Sequence, residues 1–216
     1  MATLPKTTTF RRIAEKGELG SVLIRLMMFI NGLTVCNDAL EQWHKYEDEQ
    51  HKKRSAGAKM YFVRLMIAHI YEARKVINKI NAHSELRSAV AKCDQNTQNL
   101  FKKLVAAVGA EQAKRMGEVR NSITFHYLHD KIKPALALLM KTVPDNELSI
   151  TIGEQTIDWY FEPSDRVIDN AVLKEIFKVP EDADLAKEVE KVIEAMQSIG
   201  DDLALFAGQF IFRHAS

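Results

Sequence analysis

The side chains best suited to chemistry lie together in Arg120–Tyr127, which reads Arg-Asn-Ser-Ile-Thr-Phe-His-Tyr. An arginine holds a phosphate through two hydrogen bonds and stays charged, and a histidine near its ordinary pKa can take or give a proton. Asn121 can orient either residue, and Tyr127 can stack on a base or donate a hydrogen bond. These groups suffice for metal-free RNA cleavage, in which His126 takes the proton of a 2′-hydroxyl and Arg120 stabilises the charge that develops on the phosphate.

Helical geometry limits how Arg120 and His126 can meet. A regular α-helix turns about 100° per residue, so these two side chains would point roughly 120° apart, whereas Arg120 and Tyr127 would share a face. The pair can meet if the segment begins a helix, whose N-terminus also favours a phosphate, or if a second subunit completes the site. If the two side chains do not meet, the alternative is that the chain forms a homodimer without catalytic activity, in which Arg120 and His126 have only structural roles.

The elements that must position this segment are predicted to be long helices. Apolar residues recur every three or four positions from Glu18 onward, over residues 58–80 and over residues 84–108, which indicates buried helical stripes. Ser84 is the predicted N-cap of the third helix. His69 falls on the apolar stripe of the second helix, where a hydrogen-bonded core histidine is expected. Only 9 glycines and 5 prolines occur in 216 residues, and both types are costly inside helices.

The periodicity changes after residue 147. Residues 148–152 and 156–161 are rich in β-branched and aromatic side chains and flank a short polar turn, which predicts a β-hairpin. Helices are expected again over residues 166–178 and 182–214.

The predicted fold class is therefore mainly α: an up-and-down helical bundle of long helices with one inserted β-hairpin near residues 148–161. The chain is expected to form a single domain over residues 1–216. Within it, residues 147–162 form the hairpin and residues 164–216 form acidic C-terminal helices.

Charge is distributed unevenly along the chain. Residues 1–144 hold 24 Lys and Arg against 13 Asp and Glu, whereas residues 145–202 hold 5 against 16. The two parts are therefore expected either to attract one another, within a chain or across a dimer, or to leave the basic part available to an anion such as nucleic acid.

No metal, cofactor or membrane is expected. Cys36 and Cys93 lie far apart on helical patterns and are predicted to be buried thiols. The Glu-x-x-His spacing of di-metal carboxylate bundles occurs only at Glu41 and His44. The longest apolar stretch, near residues 19–36, is interrupted by Arg25, Asn31 and Gly32, which argues against a membrane span and for a cytoplasmic protein.

The segment Val119–Tyr127 resembles the motif of HEPN domains (higher eukaryotes and prokaryotes nucleotide-binding). That motif has an arginine, then a polar residue that is often asparagine, and a few residues later a histidine; here five residues separate Arg120 from His126. Two long helices precede the motif, as in that family. Within it, the chain is most similar to bacterial proteins of the abortive-infection type. The resemblance covers residues 18–143 and leaves the hairpin and the acidic helices unexplained.

The resemblance implies a homodimer in which two copies of the motif share a cleft. It assigns metal-independent endoribonuclease activity to Arg120 and His126, with Asn121 in support. Tyr127 directly follows His126, unlike the tyrosine two positions on in some subfamilies, so the resemblance gives Tyr127 no modification role. Its predicted supporting role, by stacking or hydrogen bonding, rests on its side-chain chemistry alone. The expected function is an RNase toxin or defence effector with RNA as substrate, restrained by a protein antitoxin or regulator. The alternative is a non-catalytic helical dimer that binds a protein or nucleotide partner.

Overall fold

The computed structural model of the chain describes residues 6–45, 49–106, 110–124, 129–154, 160–180, 183 and 185–215. This part of the chain is mainly helical with a small antiparallel sheet, which confirms the predicted fold class. The elements are α1 (Phe10–Ala14), α2 (Glu18–His44), α3 (Glu49–Ala82), α4 (Ser84–Ala91), α5 (Gln95–Ala106), α6 (Ala110–Glu118), a first π-helical turn (Val119–Thr124), α7 (His129–Thr142), β1 (Ile150–Thr151), β2 (Tyr160–Phe161), α8 (Glu162–Asn170), a second π-helical turn (Ala171–Ile176) and α9 (Leu185–His214).

The chain groups into two compact units, and the first comprises Met1–Val35, His69–Ala113 and Ala195–Ser216. Its core includes a row of rings: the Phe206 centroid lies 5.5 Å from that of Phe101 and 5.4 Å from that of Phe210. Such aromatic pairs contribute about 0.5–1.5 kcal/mol each beyond the area they bury. The core of this unit also contains fully buried aliphatic side chains, among them Leu23, Leu26, Ile70, Ile77, Ile80, Leu86 and Leu203.

The second unit comprises Cys36–Ala68 and Lys114–Glu194. In it α7 packs against α8 and against the second π-helical turn. Arg115 Nη1 donates to the carbonyl of Phe177, just after that turn, over 2.9 Å. Helices α2, α3 and α9 supply residues to both units, and the single-domain organisation stays a prediction. The buried core of this unit includes Val63, Met66, Ile67, Met116, Val119, Ala135, Val172 and Ile176.

Helix α3 begins at Glu49, so the predicted start at residue 58 is wrong. A basic stretch, residues 51–54, and Gly57 lie before that predicted start. Lysine, arginine and alanine are good helix formers, however, and a single glycine costs only about 1 kcal/mol inside a helix. Residues 51–57 therefore continue the helix.

Helices α4 and α5 replace the single helix predicted over residues 84–108. The first helix ends at Ala91 and the second begins at Gln95. Asp94 caps α5, because its Oδ1 accepts from the backbone N–H of Thr97 at 2.9 Å and its Oδ2 accepts from the Thr97 hydroxyl at 3.0 Å. These hydrogen bonds lower the pKa of Asp94.

The predicted capping by Ser84 is also wrong, because His83 is the N-cap of α4 and makes no side-chain capping bond.

Helix α2 is the one described helix long and apolar enough to cross a membrane by length and composition, over Glu18–Trp43. The polar residues Arg25 and Asn31, which were predicted to argue against a membrane span, do not lower its apolar character below that limit. One face of α2 is nevertheless buried in protein, with Val22, Leu23 and Leu26 inaccessible to solvent. A buried face of this kind is compatible with a core helix of a soluble protein.

In the described part of the chain each strand of the hairpin holds two residues, and the first strand is shorter than the predicted 148–152. Ile150 pairs with Phe161 and Thr151 with Tyr160, and residues 155–159 between them lie outside the described part. Glu162 extends the contact, because its backbone N–H donates to Ser149 O and its Oε2 accepts from Ser149 N, each over 3.0 Å. The second strand ends where α8 begins, with Pro163 in the first turn, a position that suits its fixed φ.

Candidate functional site

Arg120 and Asn121 lie on the first π-helical turn, which continues α6 without a break. Backbone bonds in such a turn run from residue i to i+5, so residues five apart lie one above the other. Val119 and Thr124 are five apart and both are buried. The Thr124 hydroxyl reaches the carbonyl of Val119 at 3.0 Å and that of Arg64 on α3 at 3.4 Å. The Thr124 side chain thus links the end of the π-helical turn to its first residue and also to α3.

This placement corrects one expectation about the motif. Because α6 precedes the turn directly, Arg120 does not lie in the first turn of a helix. The segment therefore cannot bring Arg120 to His126 by starting a helix. Completion of the site by a second subunit, the other route, stays a prediction.

The side chains of Arg120 and Asn121 are in direct contact. Arg120 Nη1 donates to Asn121 Oδ1 over 2.8 Å. The arginine is half-buried and the asparagine is exposed. The carboxamide thereby restricts the orientation of a guanidinium that keeps its positive charge at all physiological pH values.

The other two predicted site residues, His126 and Tyr127, lie outside the described residues. The structure thus brings together Arg120 and Asn121 out of the four predicted residues. Within the described part, no three His, Cys, Asp or Glu side chains come together as metal ligands.

A buried ion pair lies in the same unit, at residues that no motif marked. The Arg64 side chain is 6% exposed, and its Nη1 donates to Asp169 Oδ1 over 3.1 Å. Burial raises the pKa of Asp169 to about 7, although the charge of Arg64 opposes the shift. Burial also raises the pKa of Asp165, one turn earlier on α8, again against Arg64. The four-residue spacing of Asp165 and Asp169 places both on one face of α8, but nothing in the sequence links either to Arg64.

A cavity of about 890 Å³ is lined by Arg64 and Asp165. Its volume falls within the range of small-molecule sites, which is about 300–1,000 Å³. Aromatic side chains from three elements form part of its wall: Trp43 from α2, Tyr61 and Phe62 from α3, and Tyr160 from β2. The scattered positions of these residues explain why the sequence did not reveal the cavity.

A thiol–imidazole contact in the first unit does not form a nucleophilic site. Cys93 Sγ lies 3.5 Å from His214 Nε2, which is itself 3.1 Å from the carbonyl of Ala89. Burial raises the pKa of the Cys93 thiol and lowers the pKa of His214. Both shifts keep the pair neutral, whereas an activated cysteine needs a stabilised thiolate. Cys36 and Cys93 are both buried, as predicted.

The chain was compared with protein-family models, with curated proteins and with solved structures, and none of the three comparisons found a match.

Proposed function

We propose that this protein is a metal-independent endoribonuclease of the HEPN type, acting in the cytoplasm as a toxin or defence effector. The contact between Arg120 and Asn121 on the π-helical turn is the observation that supports the proposal best. Single π-helical turns inside helices occur frequently at functional sites. An oriented, permanently charged guanidinium is the group that a phosphate requires.

In the proposed reaction His126 removes the proton of a 2′-hydroxyl. The 2′-oxygen attacks the adjacent phosphorus, the bond from phosphorus to the 5′-oxygen breaks, and the leaving oxygen takes up a proton. The products are a 2′,3′-cyclic phosphate and a 5′-hydroxyl. Arg120 stabilises the charge on the phosphoryl oxygens, and Asn121 holds Arg120 in place. Tyr127 supports a neighbouring base by stacking.

The proposal includes a homodimer, since the turn does not start a helix and a second subunit must complete the site. Helix α7, which follows the motif, offers a surface for this contact. Leu136 and Met140 on α7 and Val143 directly after it are exposed, Met140 by 67%. A continuous exposed apolar face is typical of interaction sites.

The test is cleavage of a labelled RNA in the presence of a metal chelator. His126→Ala and Arg120→Ala should each lower the cleavage rate by at least about 100-fold, the usual effect of losing an acid–base or charge-stabilising group. His83→Ala and Arg11→Ala are matched controls, because both residues are exposed and lie outside the motif. Each control should cleave like the parent.

Two outcomes would reject the proposal. In one, the parent leaves RNA intact; in the other, the His126→Ala protein cuts as well as the parent, which would point to a contaminating nuclease. Light scattering tests the dimer separately, because a strict monomer is incompatible with a shared site. A dimer that does not cleave would favour the second candidate, a non-catalytic helical dimer that binds a protein or nucleotide partner or is restrained by a regulator.

A further inference from the structure

The cavity of the second unit has walls suited to a flat ring. Its aromatic side chains, Trp43, Tyr61, Phe62 and Tyr160, come from three different elements. Aromatic rings stack on planar heterocycles, and each stacked nucleobase is worth about 1–3 kcal/mol. A planar ligand with an apolar face therefore suits the cavity better than an alkyl chain or a sugar alone.

Two guanidinium groups also border the cavity. The Arg54 guanidinium lies 5.9 Å from the centre of the Tyr160 ring, and that of Arg64 lies 5.9 Å from the Tyr61 ring. Both aromatic rings thus already have a cation nearby. The cation–aromatic contacts of these two rings are thus already made within the chain, so a neutral ring that stacks on the aromatic wall, with or without an attached phosphate, suits the cavity.

Asp165 supplies the polar contact that selects among planar ligands. It lines the cavity and is half-buried. Within the described residues its carboxylate makes no hydrogen bond and no ion pair, whereas Asp169 on the same helix is paired with Arg64. Two acceptor oxygens are therefore present in a partly desolvated aromatic site, where an unsatisfied carboxylate is costly.

Gly57 makes room for this carboxylate. A Cβ atom added at Gly57 would lie 1.9 Å from Asp165 Oδ2 and 2.5 Å from its Cγ. The missing side chain on α3 thus allows Asp165 to lie beside the helix. Any residue larger than glycine at this position would push the carboxylate away.

A carboxylate accepts two parallel N–H groups, as it does from the fork of an arginine. Among the common nucleobases only guanine presents two adjacent N–H donors, N1–H and the 2-amino group, on one edge. Adenine and cytosine offer one amino group, and uracil offers one ring N–H. We propose that the cavity binds a guanine base, stacked on its aromatic wall and held by both oxygens of Asp165.

The base can come from a free guanine nucleotide or from an RNA strand, since both present the same edge. The inference does not rest on cleavage by Arg120 and His126. It is therefore tested by binding, in the His126→Ala background, so that a failure of cleavage and a failure of binding are separate results.

The experiment is isothermal titration calorimetry at about pH 8, because a higher pH favours the ionised form of a carboxyl group. Guanosine is compared with inosine, which keeps N1–H and lacks the 2-amino group, and with adenosine. A short RNA with one guanine and the same RNA with inosine at that position distinguish a strand from a free nucleoside. Guanosine, or the guanine-containing RNA, should bind at least about tenfold more tightly than its inosine counterpart, the effect of one lost hydrogen bond to a charged group.

Asp165→Asn should remove this preference, because an amide has one acceptor oxygen where the carboxylate has two. Gly57→Ala is the second variant: it leaves Asp165 in the sequence and should weaken guanosine binding at least tenfold by displacing the carboxylate. Asp201→Asn, at an exposed carboxylate of the other unit, is the control and should bind like the parent. Circular dichroism checks that each variant is folded.

Three results would overturn the inference. The first is no binding of guanosine or of either RNA. The second is equal affinity for guanosine and inosine. The third is an unchanged guanosine preference in folded Asp165→Asn protein.

Discussion

The imidazole of His69 lies against the bare backbone of Gly32. A Cβ atom added at Gly32 would be 2.3 Å from Cε1 and 2.5 Å from Nε2 of the ring, so α2 and α3 approach each other here to a distance that only glycine permits. His69 is half-buried, and this burial lowers its pKa. It makes no hydrogen bond within the described residues, so the predicted hydrogen-bonded core histidine is instead a packed, neutral ring.

Gly32→Ala should therefore destabilise the protein by about 1–3 kcal/mol, the usual cost of overpacking a core. The measurement is the free energy of unfolding from urea titration. The matched control is Gly208→Ala on α9, where a Cβ would meet nothing within 4 Å. That variant should gain about 0.5–1 kcal/mol, because alanine loses less backbone entropy than glycine on forming a helix.

The double variant Gly32→Ala with His69→Ala separates the clash from other effects. In the His69→Ala background, which lacks the ring, Gly32→Ala should cost much less stability than it costs in the parent. Equal stability of Gly32→Ala and Gly208→Ala would contradict the close approach of the two helices.

Asp169→Asn should change how stability depends on pH. The pKa of Asp169 rises from its ordinary 3.8 to about 7 in the folded chain. Between these values the folded protein holds a proton that the unfolded chain has released, so this carboxyl group makes the free energy of unfolding fall as pH rises towards about 7. Each unit between the two pKa values is worth about 1.4 kcal/mol.

The amide does not titrate, so the stability of Asp169→Asn lacks this dependence on pH. On going from about pH 5 to about pH 8, the free energy of unfolding of the variant should therefore rise relative to that of the parent by on the order of 2 kcal/mol. The attraction between Arg64 and the ionised carboxylate is already contained in the pKa of Asp169, and exchanging the protonated carboxyl group for the amide has a cost that does not depend on pH. Only the change in stability between the two pH values is therefore informative. Urea titrations at both pH values measure it, and Asp201→Asn controls for net charge. A difference between parent and variant that does not change with pH would contradict the raised pKa.

Thr124→Val should destabilise the π-helical turn. The substitution keeps the shape of the side chain and removes the hydroxyl that bonds the Val119 carbonyl, at a cost of about 1–2 kcal/mol for a buried acceptor. Thr142→Val on α7 is the matched control, because the Thr142 hydroxyl bonds the Leu138 carbonyl on an exposed surface. That change should stay within about 0.5 kcal/mol. Similar losses in thermal and urea unfolding for the two variants would show that the buried bond is unimportant.

Asn121→Ala should lower the rate of RNA cleavage without removing it, if the proposed activity is present. The variant deletes the acceptor that holds Arg120 but keeps the guanidinium, so we expect a reduction of about tenfold, mainly in kcat. Asn99→Ala is the matched control: Asn99 accepts from Gln95 on the exposed face of α5, over 3.0 Å. A cleavage rate that is the same in both variants would argue against a positioning role for Asn121.

The features that the sequence predicted correctly are those set by periodicity. Buried residues such as Leu23, Leu26 and Ile80 follow the three- and four-residue spacing of a helical stripe. The hairpin was predicted from β-branched and aromatic side chains on both sides of a short polar turn. The predicted start of α3 was wrong because the apolar stripe begins only after Gly57, whereas the helix already begins at Glu49. The glycine itself is explained by the close approach of Asp165, which the sequence does not reveal.

The candidate site could be predicted only in part. Arg120 and Asn121 are adjacent in the sequence, so a motif finds them. The π-helical turn depends on one buried hydroxyl, at Thr124, and has no pattern of its own. Arg64 and Asp169 are separated by 105 residues, and only the packing of α3 against α8 brings them together.

The first π-helical turn also makes the chain tolerant of a change in length at one point. A turn closed over five residues contains one more residue than a turn closed over four, so this turn carries one surplus residue compared with an uninterrupted α-helix. Deleting a single residue from a regular helix rotates everything that follows by about 100°, whereas a deletion between Val119 and Thr124 would remove the surplus and let regular helix form without that rotation. The fold is therefore expected to survive such a deletion, although the backbone turn on which Arg120 donates to Asn121 would be lost.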